Sequence, residues 1–229
     1  MNPKLNNNSL QLGRIISSPK DVDGYSTKKA RYDELLILEN ESLLDGSIRE
    51  YIHDWQYRIL EANHPKTIAA KIKNKEPWYL LPSIKCDGII FGYIIRQDMR
   101  FILNDSGAVV RDNFYIISPK IDSHLMMALL NNYYTYIQLE ISGKRYGGGL
   151  LKLQKYDLES LVFPSFGEIN KENEKKLISY GRELVDGGDQ NLLDRISEVL
   201  SVYAEVGLEE VKSQFESIKN KRLEGNYGQ

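Results

Sequence analysis

Between Trp78 and Ile117 the chain leaves helical spacing for short β-branched and aromatic runs, and this change of period limits the fold more than any other feature. Trp78-Tyr79-Leu80-Leu81, Gly88 to Ile95, Met99 to Leu103 and Ala108 to Ile117 are separated by Pro82, Asp87-Gly88, Gln97-Asp98 and Asn104-Asp105-Ser106-Gly107. Runs of this length between turn residues read as strands. The spacing predicts a small antiparallel sheet. Asp105-Ser106-Gly107 suits a hairpin, which would pair Arg100 to Leu103 with Val109 to Phe114.

The flanks keep a helical period. Tyr32 to Leu44, Ile48 to Leu60 and Lys66 to Lys73 read as helices: Ile48, Ile52, Trp55 and Ile59 recur at three- and four-residue steps, Ser47 is the N-cap candidate, and Pro77 closes the segment. Residues 1 to 20 are rich in Asn and Ser and read as a loose start or a strand docking elsewhere. Ser123 is placed to cap a helix with Leu125, Met126, Leu129 and Leu130 inward. After Pro164 the pattern gives three more helices, Lys171 to Val185, Gln190 to Tyr203 and Leu208 to Leu223. Leu192, Ile196, Val199, Leu200 and Tyr203 form one apolar stripe, and Val211, Phe215 and Ile218 another. These stripes pack on each other and on the sheet, or they dock a partner protein or a second copy.

The fold class is therefore α+β, a small antiparallel β-rich domain flanked by N-terminal helices and a C-terminal helical extension. Its expected divisions are residues 1–76, 77–164 and 165–229.

Arg145-Tyr146-Gly147-Gly148-Gly149-Leu150-Leu151-Lys152-Leu153 joins a cationic glycine turn to a short apolar strand. Three glycines let the backbone take positive φ and approach another surface closely. The spacing is neither GxGxxG nor GxxxxGK[ST], so it offers no phosphate cradle.

Order adds meaning to this segment. Glu76-Pro77-Trp78-Tyr79, Tyr93-Ile94-Ile95-Arg96 with Arg100-Phe101-Ile102-Leu103-Asn104-Asp105, Asp112-Asn113-Phe114-Tyr115-Ile116-Ile117-Ser118-Pro119, Leu125-Met126-Met127-Ala128-Leu129-Leu130-Asn131-Asn132 and the glycine segment to Pro164 follow one another. In that order they resemble the TaqI-like specificity, or target recognition, domain at the C-terminal end of adenine-specific DNA methyltransferases and fused restriction-modification enzymes, over residues 50 to 164. The resemblance implies a domain that reads double-stranded DNA while a separate Rossmann-like domain binds S-adenosylmethionine and transfers the methyl group.

Nothing for that transfer is in this sequence. It has no Asn-Pro-Pro-Tyr type tetrapeptide to hold a flipped adenine, and its one Asn-Pro, Asn2-Pro3, is followed by Lys4. Cys86 is the only cysteine, and His53, His64 and His124 lack ligand spacing, so neither a disulfide nor a cysteine-built metal site is expected. Glu210-Val211-Lys212 has nuclease-like spacing but lies in a helical pattern. No cofactor and no catalytic residue is expected, which makes the chain a non-enzymatic specificity module, either a separate subunit or a piece of a longer enzyme. With 229 residues, 41% of them hydrophobic, and no long apolar run, the expectation is a folded chain in the cytoplasm rather than a membrane protein.

Net charge is −2, so any affinity for DNA must come from local cations. Residues 165–229 carry 9 Lys+Arg against 13 Asp+Glu, whereas residues 77–164 carry 9 against 8. Arginine suits guanine edges and bidentate phosphate contact. Arg96, Arg100, Arg111, Lys144, Arg145 and Lys152, with Tyr146 as a stacking or backbone contact, are the DNA-binding candidates; solvated surface charge is the other reading of each cation. Tyr79, Tyr93, Tyr115 and Trp78 read as core. The expected partners are DNA, a methyltransferase or nuclease catalytic chain, and a second copy through the C-terminal helices. The competing class is a protein-interaction module that keeps the fold without reading DNA.

Overall fold

The computed structural model of the chain describes residues 12–81, 86–165, 167–188 and 191–225. Residues 1–11 of the segment 1 to 20, and the expected turn at Pro82 and helix start at Gln190, lie outside them. The chain is α+β and divides into two compact units, Met1–Ile15 with Asp33–Lys85, and Ile16–Tyr32 with Cys86–Gln229.

In the first unit β1 (Leu12–Ile16) pairs antiparallel with β2 (Asp33–Leu36), Leu12 opposite Leu36 and Arg14 opposite Glu34. The helix expected over Tyr32 to Leu44 is absent: β2 is followed by a 3-10 turn at Glu41–Leu43, whose cap is the Asn40 side chain accepting from the Ser42 N–H. A short apolar run such as Leu35-Leu36-Ile37-Leu38 fits helix or strand equally, and pairing with β1 decides it. The Leu38 carbonyl is moreover committed to the distant Leu81 N–H at 2.9 Å.

Helix α1 (Gly46–Ala62) is capped by Asp45, not Ser47, through the Ile48 N–H at 2.9 Å. Ile48, Ile52 and Ile59 are buried as the spacing predicts, while Trp55 stays exposed with the Arg58 guanidinium 5.5 Å from its ring. Helix α2 (Lys66–Lys73) packs Ala69 and Ile72 on Ile59. The strand expected at Trp78 to Leu81 is a turn instead. Its Trp78, Tyr79 and Leu80 pack on Leu38, Ile48 and Ile52, so Trp78 anchors helices rather than a sheet.

The second unit continues through β3 (Ile89–Gly92), β4 (Ile94–Ile95), β5 (Phe101–Leu103), β6 (Val109–Val110) and β7 (Phe114–Ile117). It then runs α3 (Ser123–Leu130), α4 (Tyr133–Ser142), β8 (Lys144–Tyr146), β9 (Leu150–Lys152) and α5 (Lys155–Glu159). Helices α6 (Lys171–Val185), α7 (Asn191–Ser201) and α8 (Leu208–Leu223) complete it. The run Gly88 to Ile95 breaks at Tyr93, and its two halves enter different three-stranded antiparallel sheets, β5-β3-β7 and β4-β9-β8.

The expected hairpin does not form, because β3 lies between β5 and β7 with Ile90 opposite both Ile102 and Ile116. Its turn residues are drawn elsewhere. The Asp105 carboxylate accepts from the Ser26 hydroxyl at 2.8 Å and the Thr27 N–H at 3.1 Å, and the Asn104 amide donates to the Cys86 and Ala108 carbonyls at 2.7 and 2.8 Å. The free edge of β5 is taken by Leu103 bonding to Tyr25 and Thr27.

Phe91 stacks on Phe101 at 4.2 Å in a core shared with Met127, Leu139, Leu151 and Phe215. A second core joins Leu125 and Leu129 of α3 to Leu177 and Leu184 of α6 and to Leu192, Ile196 and Leu200 of α7. Asp122, one residue before the expected Ser123, caps α3. Leu192, Ile196 and Leu200 of the first C-terminal stripe and Phe215 of the second are thus packed inside the chain. Among the described residues no helix is long and apolar enough to cross a membrane.

Helices α3 and α6 cross at Gly181, where an added Cβ would lie 1.9 Å from the His124 carbonyl oxygen. Gly181→Ala should therefore force the helices apart and cost about 1–3 kcal/mol, read as a lowered midpoint in denaturant unfolding; an unchanged midpoint would refute the close crossing.

Candidate nucleic-acid interface

The sheet β4-β9-β8 presents the cationic segment. Its glycine turn follows β8, with Gly148 and Gly149 at φ 73 and 71, a region that L side chains rarely adopt. At Gly149 a Cβ would also meet the Leu223 Cα at 3.2 Å, so this turn is where the sheet lies against the end of α8.

Register decides which side chains share a face. Ile94, Lys152 and Lys144 lie in one cross-strand row, and Leu150 and Tyr146 in the next. The pleat therefore puts Lys144, Tyr146, Lys152 and Ile94 on one side, and Arg145, level with the buried Leu151, on the other. The sequence groups Arg145 with Tyr146; the sheet separates them. Ile94 is 51% exposed and Tyr146 42%.

Two lysines directly opposite on one face repel. Lys152 lies 5.9 Å from the Tyr93 ring and Lys144 5.7 Å from the Tyr146 ring, contacts that partly offset the repulsion. Tyr93 in turn packs on Tyr115 at 5.0 Å. Burial, reinforced by Tyr93, holds the Tyr115 phenol above its ordinary value, so it stays neutral under the lysine row. Among the described residues no carboxylate forms an ion pair with Lys144 or Lys152.

Ile94 also borders a cleft of about 610 Å³ lined by Lys20, Arg96, Gln97, Arg100 and Asn113. Arg100 is steadied by a 3.3 Å bond to the Gly24 carbonyl. The Asn113 amide donates to the Ser17 carbonyl at 3.0 Å, while its buried Oδ1 has no hydrogen-bond partner. Asp98, the acid in the lining, is paired with Lys219 at 3.5 Å. The structure thus brings Arg96 and Arg100 to one cleft and Lys144, Tyr146 and Lys152 to the face beside it. Arg111 is exposed after β6, its N–H on the Ile16 carbonyl, outside that lining.

Three residues of this region escape sequence reasoning. Lys20 sits in a 3-10 turn, Pro19–Asp21, capped by Ser18, and the Ser-Pro dipeptide is the signal that locates the turn. Glu140 and Arg222 are fully buried and paired, Nε to Oε1 at 2.5 Å and Nη2 to Oε2 at 3.1 Å. The Arg222 Nη1 donates to the Arg96 carbonyl at 2.8 Å and to the Gly149 carbonyl. One guanidinium thereby joins the mouth of the cleft to the glycine turn. A carboxylate inside the apolar helix Tyr133–Ser142 was the available clue. No group of three His, Cys, Asp or Glu that could hold a metal occurs among the described residues.

Residues 2–200 match the family model described as type II methyltransferase M.Eco57I, C-terminal domain. Among solved structures, the chain resembles the type IIG restriction endonuclease BpuSI, with a TM-score of 0.61 and 15% identity, over 95% of this chain. It spans 27% of the length of that chain, and at this identity the likeness is one of fold. No curated protein matches the sequence.

Breaking the buried pair should be costly on either side. Arg222→Ala is expected to destabilise the protein by about 3–5 kcal/mol, because it strands the Glu140 carboxylate, while replacing both partners by apolar residues of similar volume should recover most of that loss. Urea unfolding of the three variants checks this, and a single variant as stable as the parent would contradict it.

Proposed function

The chain belongs to the family of C-terminal domains of type II methyltransferase M.Eco57I, and from this premise we propose that it is the DNA target recognition module of a restriction-modification enzyme, working in the cytoplasm with a catalytic methyltransferase or nuclease chain. The observation that carries the reading is the cross-strand pair Lys144 and Lys152, like charges held level without a carboxylate. Proteins break local rules of this kind where a ligand supplies the missing partner. A phosphate between the two ammonium groups is such a partner. Lys20, Arg96 and Arg100 in the adjoining cleft extend the cationic surface, and the cleft adds the amide group of Gln97, which suits adenine edges as arginine suits guanine.

Roles divide accordingly. Lys144 and Lys152 hold backbone and set position; Arg96 and Arg100 read bases; Tyr146 stacks or bears on the backbone. Arg145, on the other side of the sheet, and Arg111, outside the cleft lining, hold flanking phosphate if DNA curves past the sheet. The near-neutral charge of the chain keeps isolated affinity low. It is also the feature that favours the second reading, a protein-interaction module without DNA recognition.

Fluorescence anisotropy against random duplexes at low salt, followed by selection of the preferred sequence, separates these readings. Lys144→Ala and Lys152→Ala should each weaken all duplexes alike and reduce the salt slope by about 1. Arg100→Ala should cost about 1–3 kcal/mol on the selected duplex and relax preference at one base pair. Unchanged affinity and salt slope in all three variants would take DNA off this surface.

Methyl transfer is assigned to a catalytic domain outside these residues, since no methyl-donor loop or Asn-Pro-Pro-Tyr motif is in the sequence. Calorimetric titration of this chain with S-adenosylmethionine is expected to give no saturable heat; saturable binding would reverse the assignment.

A further inference from the structure

A second concave surface lies within the second unit, between α4, the segment after α5, and the connection from α7 to α8. It encloses about 590 Å³, a size ordinary for a binding site. Ile137, Phe163, Val206 and Val211 give it an apolar floor, while Glu168, Glu205 and Glu210 are exposed around it. None of these three carboxylates forms an ion pair among the described residues. Glu168 accepts from the Ser165 N–H at 3.0 Å, and Glu210 faces the positive end of the α8 dipole. Glu205 has neither use.

The walls are fixed in advance. The Gln138 amide donates to the Val162 carbonyl at 3.1 Å and its Oε1 accepts from the Val162 N–H at 2.9 Å, which holds that segment although the valine side is 74% exposed. The Tyr134 hydroxyl donates to the Val206 carbonyl at 3.0 Å and fixes the opposite wall. A groove whose backbone is already bonded loses little conformational freedom on binding.

We propose that this groove docks a segment of a partner protein that carries lysine or arginine beside aliphatic side chains. An apolar floor calls for aliphatic side chains, and three unpaired carboxylates at the rim call for cations; nucleic acid is disfavoured there by the same charges. The inference stands apart from the DNA reading, which uses other residues.

The test uses the full chain, isotope-labelled at isoleucine and valine methyls, and two synthetic amphipathic peptides with the same leucines, one bearing lysines and the other glutamates. The lysine peptide should shift the Ile137, Val206 and Val211 methyls and bind at least roughly tenfold more tightly than the glutamate peptide. The double variant Glu205→Lys/Glu210→Lys, altered only at exposed positions, should reverse that order while the remaining spectrum stays put. Equal binding of the two peptides, shifts confined to other surfaces, an unreversed preference, or concentration-dependent broadening of these methyls without peptide, which would mean a second copy, each overturns the proposal. Duplex DNA serves as the control: shifts it causes around Ile94 with none in the groove would leave DNA recognition standing whatever the peptides do.

Discussion

The contact on which the sheet and its cleft depend is the buried pair of Arg222 and Glu140, both fully removed from solvent. Taking two charges out of water costs several kcal/mol, and their attraction offsets this only if the remaining donors are also satisfied. Here they are used with purpose. The guanidinium bonds both Glu140 oxygens, the Arg96 carbonyl and the Gly149 carbonyl. A planar fork can hold a helix, a strand end and a tight turn at once, which a lysine ammonium could not do with the same rigidity. Gly149 completes the arrangement, because any side chain there would press on the α8 backbone at Leu223. The last helix is therefore part of the scaffold of the cationic surface, although the family match ends at residue 200.

Charge is distributed in the same spirit. Cations without an ion pair stand on the β4-β9-β8 face and in the cleft next to it, and three carboxylates without one stand around the groove at α4, α7 and α8. Some other surface charges are spent locally, as in the Lys155 to Glu159 and Lys176 to Glu172 pairs along single helices, which contribute little stability. A net charge near zero thus conceals two surfaces of opposite sign, and net charge alone is a poor guide to what such a chain binds.

The sequence made the outline legible where period and punctuation were strong. The three C-terminal helices, α1 and α2, and strands within 89–117 follow from apolar spacing and turn residues. It misled where a short apolar run had to choose a partner: Leu35 and Leu36 joined a strand, Trp78 to Leu80 packed on helices, and Phe101 to Leu103 paired with Ile89 to Phe91 instead of its neighbour across the turn. In that last case the polar turn residues bonded Ser26 and Thr27, about eighty positions away in sequence, which no local rule anticipates. Of the candidate binding residues, Lys144, Tyr146 and Lys152 could be grouped from the glycine turn, but only the pleat sends Arg145 to the other side. The Arg222 pin was not legible, because an arginine in the last turn of an amphipathic helix looks like any surface cation until its partner in α4 is known.

If DNA lies on the β4-β9-β8 face, the lysines of that face should be shielded in the complex. Lysine acetylation of the chain, read by mass spectrometry with and without a duplex selected for binding, tests it most directly. Lys144, Lys152 and Lys20 should lose reactivity when the duplex is bound, while the exposed lysines of α2 and α6 stay reactive. Protection of the helix lysines with Lys144 and Lys152 unchanged would place DNA on another surface.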